Sequence, residues 1–107
     1  MIKEKALELA NLIKDSEEFK AVKSAEARLK LDPNAQDLIN EFQGIQQRVM
    51  EKQYQGQQPE AEDIQQLQGL QGQLQLNLTV KALVEAQETF EKMMTEVNET
   101  IGQELSK

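Results

Sequence analysis

An all-α fold is what this sequence predicts: a helical bundle with a long antiparallel hairpin and coiled-coil-like packing, completed by oligomerisation. Three observations predict it. Leu76, Val80, Leu83, Gln87, Phe90, Met94, Val97 and Ile101 recur in alternating steps of four and three, which places them on one seam of a long helix. Asp32-Pro33 and the polar stretch Tyr54–Pro59 break the chain at helix-length intervals. Only Leu74–Val80 alternates like a strand, and a lone strand would have no partner.

The elements follow in order. Ile2, Ala6, Leu9 and Ile13 share a face, widened by Leu7, Ala10 and Leu12, and predict a helix over 2–14. It either stops at Lys14-Asp15 or runs on through a kink at Ser16. Ser16 suits the N-cap of a second helix over 17–31, with Glu17 and Glu18 at the positive end of its dipole. Phe19, Val22, Ala25 and Leu29 are its apolar stripe. Pro33 lacks the N–H a continuing helix needs but fits a first helical position, and Asp32 can cap. The third helix, 33–54, carries Ala35, Leu38, Phe42, Ile45 and Val49, with Ile39 and Met50 beside them.

The short turn Tyr54-Gln55-Gly56-Gln57-Gln58-Pro59 makes the fourth helix, 60–75, an antiparallel neighbour of the third. Ile64, Leu67, Leu70 and Leu74 form its apolar face. Tyr54 is expected to close the hairpin core, with a partner anchor as the alternative. Gly69 and Gly72 each cost about 1 kcal/mol in a helix interior. Two accounts fit them: a tolerated, soft helix, or a groove that another helix approaches closely. The fifth helix, 77–104, carries the seam, and Asn77 stands ready to cap a renewed helix if the chain breaks there.

Composition bounds the function. A chain of 107 residues fits a single domain, 1–107. With 4% aromatic residues its core is thin. Each buried aliphatic side chain contributes about 1.5–3 kcal/mol, largely offset by chain ordering, so self-association would add burial. The absence of Cys excludes disulfides, thiolate nucleophiles and cysteine metal sites. The absence of His removes the commonest metal ligand and the usual base for a serine nucleophile at Ser16, Ser24 or Ser106. Gly44, Gly56, Gly69, Gly72 and Gly102 match no phosphate-loop spacing.

A net charge of −7 with interleaved cations argues against direct nucleic-acid binding and against an anionic membrane surface. No apolar run approaches the roughly 20 residues of a membrane span, and Met1–Lys5 does not open like a signal peptide. The cytoplasm is the expected location. Glu85, Glu88 and Glu91, with Glu96 and Glu99, read as a solvated face paired with Lys81 and Lys92. Met93-Met94 beside Phe90 reads as core filler or an adaptable partner face. Gln87 reads as a register-setting polar position or a half-exposed edge. No catalytic, cofactor-binding or metal residue is assigned. The expected association seam is Val80, Leu83, Phe90, Met94, Val97 and Ile101.

Ser16-Glu17-Glu18-Phe19, then Leu31-Asp32-Pro33-Asn34-Ala35 with Leu38-Ile39 and Phe42, then Leu76-Asn77, Val80 and Glu85-Ala86 form a sequence of landmarks. In that order, and across essentially the whole chain, it resembles the YlbF/YmcA family of small helical proteins from Gram-positive bacteria. The motifs are degenerate and mostly structural. The resemblance implies a helical bundle with a long hairpin, dimers or larger assemblies, and action without catalysis. It also implies partners in a cytoplasmic complex that influences a membrane-anchored RNA-cleaving endonuclease, and through it RNA processing, competence, sporulation and biofilm formation. Some members carry a cysteine-rich tail linked with iron–sulfur binding and others are uncharacterised paralogues; this chain ends Ile101–Lys107 with no Cys, which puts a cluster-bearing role, and membership of that particular complex, in doubt. The expected function is a non-enzymatic, self-associating regulator or adaptor. The rival is a coiled-coil holdase that clasps unfolded chains at its hairpin tip, and an enzyme is a distant third.

Overall fold

The computed structural model describes residues 1–107 as five α-helices: α1 (Ile2–Lys14), α2 (Glu17–Lys30), α3 (Pro33–Tyr54), α4 (Ala61–Leu76) and α5 (Leu78–Leu105). No strand forms, and Leu74–Val80 is a helix junction.

Local capping explains each break. The Ser16 hydroxyl donates to the Ile13 carbonyl and accepts the Phe19 N–H at 3.2 Å, so α1 and α2 are separate helices. Asp32 accepts the Ala35 N–H at 3.1 Å, with Pro33 in the first turn of α3. Asn77 is extended (ψ 119°) and its side-chain oxygen accepts the Val80 N–H at 3.0 Å. That break takes Leu76 off the seam: it is the last residue of α4 and points into solvent.

At the far end of the hairpin, α3 closes in a Schellman motif. The Gly56 N–H donates to the Gln53 carbonyl at 3.1 Å and the Gln57 N–H to the Lys52 carbonyl at 2.9 Å. Gly56 takes φ +75°, a left-handed conformation that a Cβ disfavours. Pro59 stays outside α4, which opens at Ala61, one residue later than expected. Glu60 does not cap with its side chain; it reaches back to Lys52 at 2.9 Å, beside an Arg48–Asp63 pair at 3.2 Å.

Two compact units divide the chain: Met1–Ala27 with Ala82–Lys107, and Arg28–Lys81. In the second, α3 packs on α4, and Ala35, Ile45, Val49, Leu70 and Val80 are buried. In the first, Val22 and Ala25 are buried and the Phe19 and Phe90 rings meet at 5.8 Å, tilted by 56°. Leu9 and Ile13 are half-buried there, but nothing on α1 is fully covered, and its expected face member Ile2 is exposed. No large side chain anywhere in the chain is fully buried.

Candidate interaction surface

An apolar α5 face is the one constellation that the sequence and the structure place together. Leu83, Phe90, Met94 and Val97 lie on an unbroken helix and are each half-covered, while Ile101 is exposed. Val80 differs. At 7% exposure it is already enclosed in the Arg28–Lys81 unit, so the N-terminal member of the expected seam has no surface to offer a partner. Gln87 is exposed at the edge, and Met93 is half-buried like Met94.

The glutamates of α5 are solvated, but they do not pair as expected. No ion pair joins Glu85, Glu88, Glu91, Glu96 or Glu99 to Lys81 or Lys92; the ion pairs are Lys5–Glu8, Lys23–Glu26, Arg48–Asp63, Lys52–Glu60 and Glu104–Lys107. The α5 face is therefore flanked by uncompensated negative charge. Two carboxylates elsewhere are held below their usual range. Asp32 is held there by the Thr79 hydroxyl and then the Ala35 N–H. Glu60 is held there by its hydrogen bond and charge contact with Lys52. Both are solvent-accessible and belong to caps and corners; neither faces a dry cleft of the kind acid–base chemistry needs.

Gly44 on α3 and Gly69 on α4 line one open groove of about 650 Å³, whereas Gly72 lies outside it. A Cβ built at any of the three meets nothing within 4 Å, so no other part of this chain requires a glycine there. Tyr54 does not close the hairpin core. It is 89% exposed and shares a shallow depression with Met50 and Gln53.

No group of three or more acidic residues is placed to hold a metal ion, and no helix is long and apolar enough to cross a membrane. What the geometry offers is apolar helix surface.

Comparison with known proteins agrees with that picture of the fold. The sequence pattern of the family described as control of competence regulator ComK, YlbF/YmcA, matches residues 2–106. A UPF0342 protein of Desulfitobacterium hafniense (strain Y51) is 35% identical over 105 residues, covering 98% of this chain and 80% of that protein. A UPF0342 protein of Staphylococcus aureus (strain JH9) is 30% identical over 96 residues, covering 90% of this chain and 84% of the relative. Among solved structures, a DUF964 protein from Bacillus stearothermophilus superposes with a TM-score of 0.79 at 25% identity, covering 98% and 92% of the two chains. Bacillus subtilis RicA, crystallised in complex with RicF, gives a TM-score of 0.82 at 23% identity, covering 98% and 93%.

Proposed function

The chain belongs to the YlbF/YmcA family, and from that premise we propose that it is a non-enzymatic regulatory adaptor that binds another helical chain along α5. The observation that carries this reading is the half-covered face Leu83, Phe90, Met94, Val97, completed by exposed Ile101. A row of side chains at alternating three and four spacing can insert into the gaps of a facing helix. Burying it recovers the transfer free energy that this thin core leaves unrealised. The unpaired glutamates alongside disfavour acidic competitors by like-charge repulsion, which gives selectivity more than affinity.

The partner in this reading is a second copy, giving a homodimer or higher oligomer, or a related chain within an RNA-processing regulatory complex. RicA, of similar fold, has been crystallised with a protein partner, which supports the mode of action. The proposed setting is the bacterial cytoplasm and the control of competence, sporulation and biofilm formation.

The test is the mass of the full chain by light scattering, with circular dichroism as the control for folding. Phe90→Glu and Ile101→Glu should each lower the assembled mass. Phe90 touches Phe19, so its variant can also lose helicity; Ile101 is exposed, so its variant should stay folded. Unchanged mass in a folded Ile101→Glu protein, with unchanged capture of partners from the native host, would refute the assignment. Exposed Met50 and Tyr54 at the hairpin tip favour a second reading, a holdase. That reading requires suppression of aggregation of unrelated clients, lost on Tyr54→Ser.

A further inference from the structure

Three leucines stand almost fully in water where the chain is otherwise firmly tied. Leu31 is 84%, Leu76 84% and Leu78 76% exposed. None sits on a loose end. The Thr79 hydroxyl donates to the second Asp32 oxygen at 2.7 Å, while the first oxygen accepts the Ala35 N–H. The Gln36 amide donates to the Leu29 carbonyl at 2.7 Å, and Asn77 caps the start of α5. These bonds knot the α2–α3 corner to the first turn of α5. Leu31 precedes Asp32 and Leu78 precedes Thr79, so both leucines flank the same knot, with Leu76 next to the cap Asn77. Single exposed leucines are ordinary; here each of the three is next in sequence to Asp32, Thr79 or the cap Asn77, which the hydrogen bonds hold together.

The charge around this patch is opposite to that of the molecule. Arg28 stands three residues before Leu31 and Lys81 three residues after Leu78, each a spacing of one helical turn, and Lys30 precedes Leu31 directly in the chain. All three are exposed and none takes part in an ion pair. Asp32, the acid among them, is engaged in the knot. On a chain of net charge −7 this is a local positive rim around apolar surface.

The complementary element is in the same sequence. From Glu85 to Glu104, α5 carries six glutamates and one lysine. Its last residue, Leu105, is 81% exposed, and Glu96 and Glu99 are unpaired. We propose that the acidic, leucine-tipped end of α5 of a second copy docks on the Leu31–Leu76–Leu78 patch, its glutamates facing Arg28, Lys30 and Lys81. The two surfaces differ, so the contact is heterologous and links copies head to tail. It shares the last turns of α5 with the Leu83–Ile101 face, because Glu96 and Glu99 flank Val97 and Ile101, but it does not depend on Leu83, Phe90 or Met94 being an interface.

Charge exchange tests it on the full chain by sedimentation velocity. One variant reverses the rim (Arg28→Glu, Lys30→Glu, Lys81→Glu), and another reverses the tip (Glu96→Lys, Glu99→Lys). All five positions are exposed, so circular dichroism should be unchanged. Each variant alone should associate at least about tenfold more weakly than the natural chain, and added salt should weaken the natural chain too. An equimolar mixture of the two should regain the association, because the reversed rim then meets a reversed tip. Natural-chain mass in either variant, insensitivity of the natural chain to salt, or a mixture that stays dissociated would each overturn the proposal. The last two outcomes include an acidic protein other than this chain as the true occupant. Failure of the Leu83–Ile101 reading shows instead as Met94→Glu, placed before the docking end of α5, leaving the mass of a folded protein unchanged while the reversals still act.

Discussion

Glycine has opposite meanings at two kinds of position in this chain. Gly56 holds φ +75° at the close of α3, where a side chain raises the energy by about 1–2 kcal/mol. Gly44 and Gly69 sit inside helices with open space where a Cβ would go, so alanine there should stabilise by about 0.5–1 kcal/mol. Calorimetry should therefore find Gly56→Ala melting lower and Gly69→Ala melting higher, at about 4–8 °C per kcal/mol for a domain of this size. A loss on Gly69→Ala that tracks a loss of assembled mass would instead mean that another chain occupies the groove. Asp32 makes a pH prediction. Its carboxyl is held below the usual range by Thr79 first and the Ala35 N–H second. A depressed folded-state value means the stabilisation is present above the unfolded carboxyl's range and is lost as pH falls through the folded value. Thr79→Val should accordingly lower the melting temperature at neutral pH, and its difference from the natural chain should shrink as the solution is acidified. A gap that stays constant down to the acid limit would show that the Thr79–Asp32 bond is not charge-assisted.

At the scale of the helix, what is decided within one turn was legible and what is decided across the fold was not. Ser16, Asp32 and Asn77 each cap the helix that their sequence neighbours predict, because an N-cap needs only its own side chain and an N–H three residues on. Ser16→Ala and Asn77→Ala should each cost about 1 kcal/mol, read as a lower denaturation midpoint with helicity otherwise retained. Leu76 was misplaced because heptad spacing does not register a single extended residue, and Asn77 is one. Glu60 was expected in the first turn of α4, but Lys52 across the hairpin competes for its side chain. Tyr54 beside the turn reads as closing the hairpin core, with a partner anchor as the alternative, and the fold leaves it exposed at the tip. The Leu83–Ile101 spacing was readable along one helix. The enclosure of Val80 was not, since it lies in a unit whose knot joins Asp32 to Thr79, 47 residues apart. The lysine pairs expected on α5 require chosen rotamers, and exposed pairs of that kind gain too little to enforce them.

At the scale of the molecule, the decisive feature is a folded chain without one fully buried large side chain. Stability of a small domain rises with the apolar surface it removes from water, and the net figure is a narrow difference between that gain and chain entropy. Here the enclosed residues are small or single: Ala25, Ala35, Val22, Ile45, Val49, Leu70 and Val80. Leu83, Phe90, Met94 and Val97 are covered only in part. If a partner copy supplies the missing burial, folding and association are linked, and the folded population obeys mass action. The melting temperature must then rise with protein concentration. About a hundredfold excess over the dissociation constant adds about 2.7 kcal/mol to the folded side, enough to move the transition by many degrees in a chain this short. Thermal melts followed by circular dichroism over a wide concentration range should show that rise in the natural chain. The dependence should be lost in Ile101→Glu, whose melting temperature should match the dilute limit. A natural chain that melts at one temperature regardless of concentration would mean that it is stable alone, and that its half-covered α5 face is not what holds it folded.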